Sequence, residues 1–175
     1  MSDEIRAYEE RDRDAVVALS LRAWEPVHAS MRRELGDRLY LHMIPDWRVS
    51  QRAVVTRALE SEEEHVWVSV SGGAVTGFAS VRLRPAPGAE GEDGAGDGGS
   101  RRGEGEVTFL AVDPGHQGRG VGVALTEFAV DWIRDRGMGL AIIETGGDEG
   151  HAPARSTYSR AGLTPMPIVR YFKKL

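Results

Sequence analysis

Apolar and polar positions along the chain switch between two periods. Ile5 to Tyr8 reads as a short strand. Asp12 then stands as a helix N-cap before Ala15, Val16, Leu19, Leu21 and Ala23, whose spacing predicts a helix from about Arg13 to Trp24. A second helical stretch, about Val49 to Glu60, gathers Ala53, Val54 and Ala58 on one side, while Gly36, Pro45 and Asp46 interrupt the pattern between the two. His65 to Val70 and Val75 to Leu83 are rich in β-branched and aromatic residues and are joined by Ser71-Gly72-Gly73, which predicts an antiparallel hairpin. Glu106 to Val112 predicts a further strand, ended at Asp113-Pro114 because proline cannot donate to a ladder. Val121 to Arg136 places Val121, Leu125, Phe128, Ala129 and Trp132 on one helical face and stops at Gly137. Leu140 to Thr145 is apolar and extended, so strand, tight loop, helix and strand predict a right-handed crossover with two parallel strands. Pro153 suits the first turn of a short helix reaching Ala161 and stopped by Gly162, and Ile168 to Phe172 predicts a last strand. The order β α α β β β α β α β has no internal repeat and predicts an α/β fold with a sheet of mixed direction.

Length is consistent with one domain over residues 1–175, enough to bury roughly 70% of the unfolded surface. Residues 86–105 hold 8 of the 22 glycines, five acids and two arginines with no large apolar residue, a composition that predicts a flexible loop. The net charge is −5, of which that loop carries −3, so the rest of the chain is nearly neutral and no nucleic-acid partner is expected. With no cysteine, disulfides, thiolate metal sites and thiol nucleophiles are excluded, which fits a reducing compartment. The start has no basic segment leading into an apolar one and no apolar run reaches membrane-span length, so the expectation is a soluble, cytoplasmic protein without a membrane partner. No His, Asp or Glu spacing resembles a metal site, and no metal is expected.

The strongest chemical signal is the run from Val112 to Gly122, Val-Asp-Pro-Gly-His-Gln-Gly-Arg-Gly-Val-Gly, which ends a strand and opens a helix. Glycines let successive amides face a ligand, and the first turn of the helix adds unpaired donors and a positive dipole end, so the natural guest is a phosphate or pyrophosphate. A Walker loop fails because Val121 follows Gly120 where Lys is required. A Gly-x-Gly-x-x-Gly fingerprint fails in both registers, reaching Val123 or Leu125, although Glu144 mimics the ribose-binding acid of that motif. What remains is Gln-x-x-Gly-x-Gly.

Gln117-Gly118-Arg119-Gly120-Val121-Gly122, preceded by the strand Glu106 to Val112, resembles the acetyl-CoA motif of the GNAT superfamily of acyl-CoA-dependent N-acyltransferases. Ala154 to Leu163 is similar to the family segment in which a helix carries a tyrosine and ends at Gly-Phe, with Leu163 in place of the Phe. The resemblance implies a single-domain GNAT-like fold: a mixed, mostly antiparallel sheet with a central parallel βαβ unit, flanked by helices. It implies acetyl-CoA as cosubstrate, with the strand splayed near Leu110, Ala111 and Val112. There the Leu110 N–H faces the acetyl carbonyl and Val112 pairs with the pantetheine arm. The pyrophosphate then lies on the amides of Gln117, Gly118, Arg119, Gly120, Val121 and Gly122. His151, where many members have Asn, and Ala154 are the further coenzyme contacts. Glu106 holds the position of a general base and Tyr158 that of the acid protonating the thiolate. Trp24 and His28 are expected to wall the acceptor pocket, and Glu144 to bind the substrate amine. The implied activity is transfer of an acetyl or short acyl group to a primary amine of a small molecule or peptide by direct attack in a ternary complex. A non-catalytic acyl-CoA sensor or scaffold is the competing class, and a dinucleotide-binding domain a distant third. The Ile168 to Phe172 strand, paired across two copies, makes a homodimer a further expectation.

Overall fold

The structure, a computed structural model, describes residues 4–85 and 103–175; the flexible loop expected at 86–105 lies, for residues 86–102, outside the described residues. The elements are β1 (Glu4–Ala7), α1 (Arg13–Met43), α2 (Trp47–Glu60), β2 (Glu64–Ser71), β3 (Ala74–Arg84), β4 (Glu104–Val112), α3 (Val121–Asp135), β5 (Leu140–Ile143) and α4 (Ala152–Arg160). The strands form one sheet in the order β1-β2-β3-β4-β5, antiparallel throughout except for the parallel β4–β5 pair that α3 connects. This is the expected mixed α/β single-domain fold, with the parallel pair at one end of the five strands.

Strand alternation sends side chains to two cores. On one face Val68, Phe78 and Ala111 pack with Val16, Val17 and Leu19 of α1 and Val55 of α2. On the other, Trp67, Val81 and Val107 meet Ala129 and Ile133 of α3, and Ala79 and Val112 meet Val121 and Leu125. α3 lies close against β4 because Gly105 leaves room: a Cβ there would stand 2.5–2.7 Å from three carbons of Ile133.

Three expectations are corrected. α1 does not end at Trp24 but continues to Met43 through Pro26, with a break at Gly36 (φ 72°). Past Trp24 its inward residues are polar or aromatic, His28, Ser30 and Tyr40, so the apolar period fades while the helix persists. Asp12 makes no side-chain cap to α1; its carboxylate reaches back to the Glu9 N–H (3.0 Å) and forms a two-pronged ion pair with Arg6 (2.7 and 2.8 Å). The strand expected at Ile168 to Phe172 does not form: residues 163–175 carry no regular structure, and Ile168, Val169, Tyr171 and Phe172 are exposed. Strand propensity needs a partnered edge to become a strand, and no described strand pairs with this segment. No helix of the described residues is long and apolar enough to cross a membrane.

Candidate active site

β4 and β5 pair only from Glu104↔Leu140 to Val107↔Ile143, and beyond that point they part. The parting coincides with a β-bulge: Ser80 pairs with Phe109 but Val81 with Val107, so Thr108 is the extra residue on β4. The hydrogen-bond direction past the bulge follows from one bond. Asp113 N–H donates to Thr76 O (2.8 Å), and alternation in an antiparallel ladder then commits Ala111 and Phe109 to β3 and turns the N–H and C=O groups of Leu110 and Val112 away from it. The open cleft is therefore lined by the Leu110 and Val112 backbones, while Ala111 sits in the ladder with its side chain in the core. Gln117 Nε2 donates to Val112 O (3.1 Å), tying the glycine-rich loop to the strand end.

Asp113 anchors the start of that loop by accepting from the Gly115 N–H (2.9 Å) and pairing with Arg22 of α1 (2.6 Å). Burial raises its carboxyl pKa, but the Arg22 guanidinium and the Gly115 amide outweigh that and hold it below the ordinary value. Gly118 (φ 73°) and Gly120 (φ 89°) take left-handed backbone, and Gly120 is the N-cap of α3 with no side-chain cap bond. The first amides of α3 thus face outward without a capping side chain, at the positive end of the helix dipole. Val121 is buried and offers only its backbone, and Arg119 is exposed. Gly122 lets α4 approach: a Cβ there would meet Thr157 at 3.2 Å.

Tyr158 follows Thr157 on α4. Its phenol is half-buried, with no hydrogen bond to its hydroxyl among the described residues, and desolvation pushes its pKa up to about 12. Ala154 lies one turn earlier and His151 one turn before that, so the three share a face of the helix and its entry turn. His151 Nδ1 is bonded to Asp148 Oδ1 at 2.5 Å.

The residues expected around the acceptor sit in distinct surroundings. Trp24 packs edge-on against Phe109 (6.2 Å) at the margin of the α1 core. His28 is buried, its Nδ1 bonded to the Tyr40 hydroxyl (3.0 Å) and its ring stacked on Trp47 (4.5 Å), and burial pushes its pKa down. Glu144 is exposed just past β5. Glu106 lies beside the last β4–β5 pairs on the sheet face that carries α1, in an ion pair with Arg84. Among the described residues no group of three or more His, Cys, Asp or Glu is placed to hold a metal.

Two polar groups escaped the sequence reading. Glu64, with a side chain only 1% exposed, pairs with Arg82 (2.7 Å) and accepts from Ser80 and from Thr108 (2.7 Å), so a buried carboxylate fastens the bulged residue where the strands part. Asp148 was also missed; its three-residue spacing from His151 at the mouth of a helix was the available signal.

The sequence matches the family model described as the acetyltransferase (GNAT) family over residues 24–163. The chain belongs to that family. Among GNAT relatives, the mycothiol acetyltransferase of Cellulomonas flavigena is 35% identical over 145 residues, covering 78% of this chain and 37% of that protein. The mycothiol acetyltransferase of Amycolatopsis mediterranei is 28% identical over 162 residues, covering 88% and 43%. The chain thus spans under half the length of these relatives. A solved structure of the GNAT fold, AAC(6')-Iy with the bisubstrate analogue CoA-S-monomethyl-acetylneamine, superposes with a TM-score of 0.64 at 16% identity, covering 100% of this chain and 99% of that one.

Proposed function

We propose that the chain is an N-acetyltransferase that moves an acetyl group from acetyl-CoA to a primary amine of a small molecule by direct attack in a ternary complex. The observation that carries this reading is the cleft where β4 leaves β5. Outward-facing Leu110 and Val112 backbone groups lie beside the uncapped, glycine-entered N-terminus of α3. The amides from Gln117 to Gly122 take the pyrophosphate, Val112 hydrogen-bonds the pantetheine arm, and the Leu110 N–H faces the thioester carbonyl, with Ala154 flanking the arm from α4. The names of the relatives and of the solved neighbour fit acetyl transfer to small molecules.

Attack of the amine nitrogen on the carbonyl carbon places negative charge on oxygen, where the Leu110 N–H stabilises it. Collapse breaks the C–S bond, and Tyr158, a phenol that is protonated at neutral pH and whose pKa burial pushes further up to about 12, gives its proton to the departing thiolate. Arg84 occupies one oxygen of Glu106, which favours Glu106 as the docking charge for the acceptor's ammonium over the general-base role its strand position implies. Titration calorimetry with acetyl-CoA, CoA and NAD tests the reading: both CoA species are expected to bind, and NAD binding without CoA binding would refute it.

A further inference from the structure

We infer that Asp148 and His151 form a proton-accepting dyad for the acceptor amine, with His151 Nε2 as the base and Asp148 as its positioning residue. The inference rests on the acetyl-transfer reading above and adds to it the destination of the first proton.

The tautomer is fixed by what faces each nitrogen. Asp148 Oδ1 lies 2.5 Å from His151 Nδ1. Burial pushes the Asp148 carboxyl up, but hydrogen bonds from Ser30 and His151 more than offset it and leave its pKa below the ordinary value. An ionised carboxylate only accepts, so Nδ1 carries the hydrogen and the neutral ring keeps its lone pair on Nε2, which makes no hydrogen bond among the described residues. A ring so fixed accepts at Nε2 and cannot donate there, unlike the amide of the Asn whose coenzyme contact the resemblance gave to this position, so His151 is assigned to the acceptor and not to the coenzyme.

The dyad is rigidly held. Asp148 Oδ2 accepts from the Gly150 N–H (3.1 Å), which is also bonded to Ser30 Oγ of α1 (3.0 Å). Arg155 of α4 donates to the Gly146 and Asp148 carbonyls (2.6 and 2.8 Å). The ring packs against Gly146, three residues beyond the end of β5, and sits two helical turns from Tyr158 on the same face of α4. Base and acid thus stand on one face of α4 and its entry turn, two turns apart. The charged and titratable groups around the ring are Asp148 on its own loop, Arg155 from α4, His28 from α1 and, beyond His28, Arg48 from α2.

The protons balance. The ammonium gives one to Nε2, which passes it to solvent. The free amine attacks, and the proton that nitrogen sheds as the tetrahedral adduct collapses offsets the one Tyr158 gives to sulfur. The products are the amide, CoA thiol and one released proton.

The test uses the full chain and whichever primary amine it acetylates. His151→Ala is expected to lower kcat about 100-fold, with acetyl-CoA affinity by calorimetry unchanged and with free imidazole restoring turnover. Asp148→Asn is expected to lose about tenfold, an order-of-magnitude figure for a group acting through the base. It should also shift the His151 ring from the Nδ1–H to the Nε2–H tautomer by 15N NMR. Undiminished kcat in folded His151→Ala, or a loss that imidazole does not restore while acetyl-CoA still binds, overturns the dyad and leaves the acetyl-transfer reading standing. A wild-type chain that binds no acetyl-CoA overturns both.

Discussion

Gly120→Ala separates the backbone of the phosphate-binding loop from everything packed around it. A Cβ at residue 120 meets no heavy atom within 4 Å, so the substitution adds no clash. What it adds is the cost of holding an L side chain at φ 89°, about 1–2 kcal/mol, offset by about 0.4–1 kcal/mol from reduced freedom of the unfolded chain. The net loss of stability is about 1 kcal/mol, or about 2–4 °C in Tm for a chain of this size. Binding suffers more. If residue 120 relaxes toward negative φ, the amides at the start of α3 turn from their common direction. Losing one charge-assisted hydrogen bond to the pyrophosphate costs about 1.5–3 kcal/mol, a roughly 10- to 100-fold weaker acetyl-CoA complex. Differential scanning calorimetry and titration calorimetry on the same preparation read both quantities. A Tm that falls by a few degrees while acetyl-CoA affinity stays within twofold of wild type would refute the assignment of this loop to the pyrophosphate.

Tyr158→Phe should lower kcat about 100-fold without changing acetyl-CoA affinity, measured by thiol release and calorimetry; unchanged turnover would remove Tyr158 from the acid role. Glu106→Gln should raise KM for the amine and leave kcat within a few-fold, since its role is docking charge; a kcat collapse at unchanged KM would return it to the position of base. Gly105→Ala should cost about 1–3 kcal/mol or more in urea unfolding, because the new methyl lands on Ile133; a neutral result would contradict the close α3–β4 approach. Asp12→Asn should cost about 2 kcal/mol at neutral pH. The Arg6 hydrogen bond above all depresses the folded-state Asp12 pKa below its unfolded value of about 3.9. The stability this contributes is therefore present above about pH 4 and lost as pH falls through the folded value, so the gap between wild type and variant should close in acid.

The elements with a strong apolar period were legible to within a residue or two. α3 was read as Val121 to Arg136 and ends at Asp135; the hairpin strands each extend one residue further at both ends, where Glu64, Ser71, Ala74 and Arg84 continue the ladder without adding to the apolar pattern. α1 was half legible, since the inward side of its second half is His28, Ser30 and Tyr40, residues with no hydrophobic signature. Ile168 to Phe172 shows the opposite failure, β-branched and aromatic residues with no described edge to pair with. At the site, Gln117 to Gly122 could be read because glycine spacing records backbone geometry directly. Leu110 and Val112 were reached only through the family resemblance, and the parity of the β4 ladder gives their orientation a physical cause. The Glu64 anchor under Thr108 and the Arg84 pairing of Glu106 join residues through the fold, and composition carries no trace of them, whereas the Asp148–His151 bond is local and its three-residue spacing was the signal available.

Acetyl transfer is read out by incubating the full chain with acetyl-CoA and a panel of primary amines, following thiol release and identifying the acetylated product by mass spectrometry. Amine-dependent release of one CoA thiol per amide formed is expected for at least one member of the panel. Tight acetyl-CoA binding with thiol release no faster than hydrolysis for every amine would contradict it and make the chain an acyl-CoA-binding module.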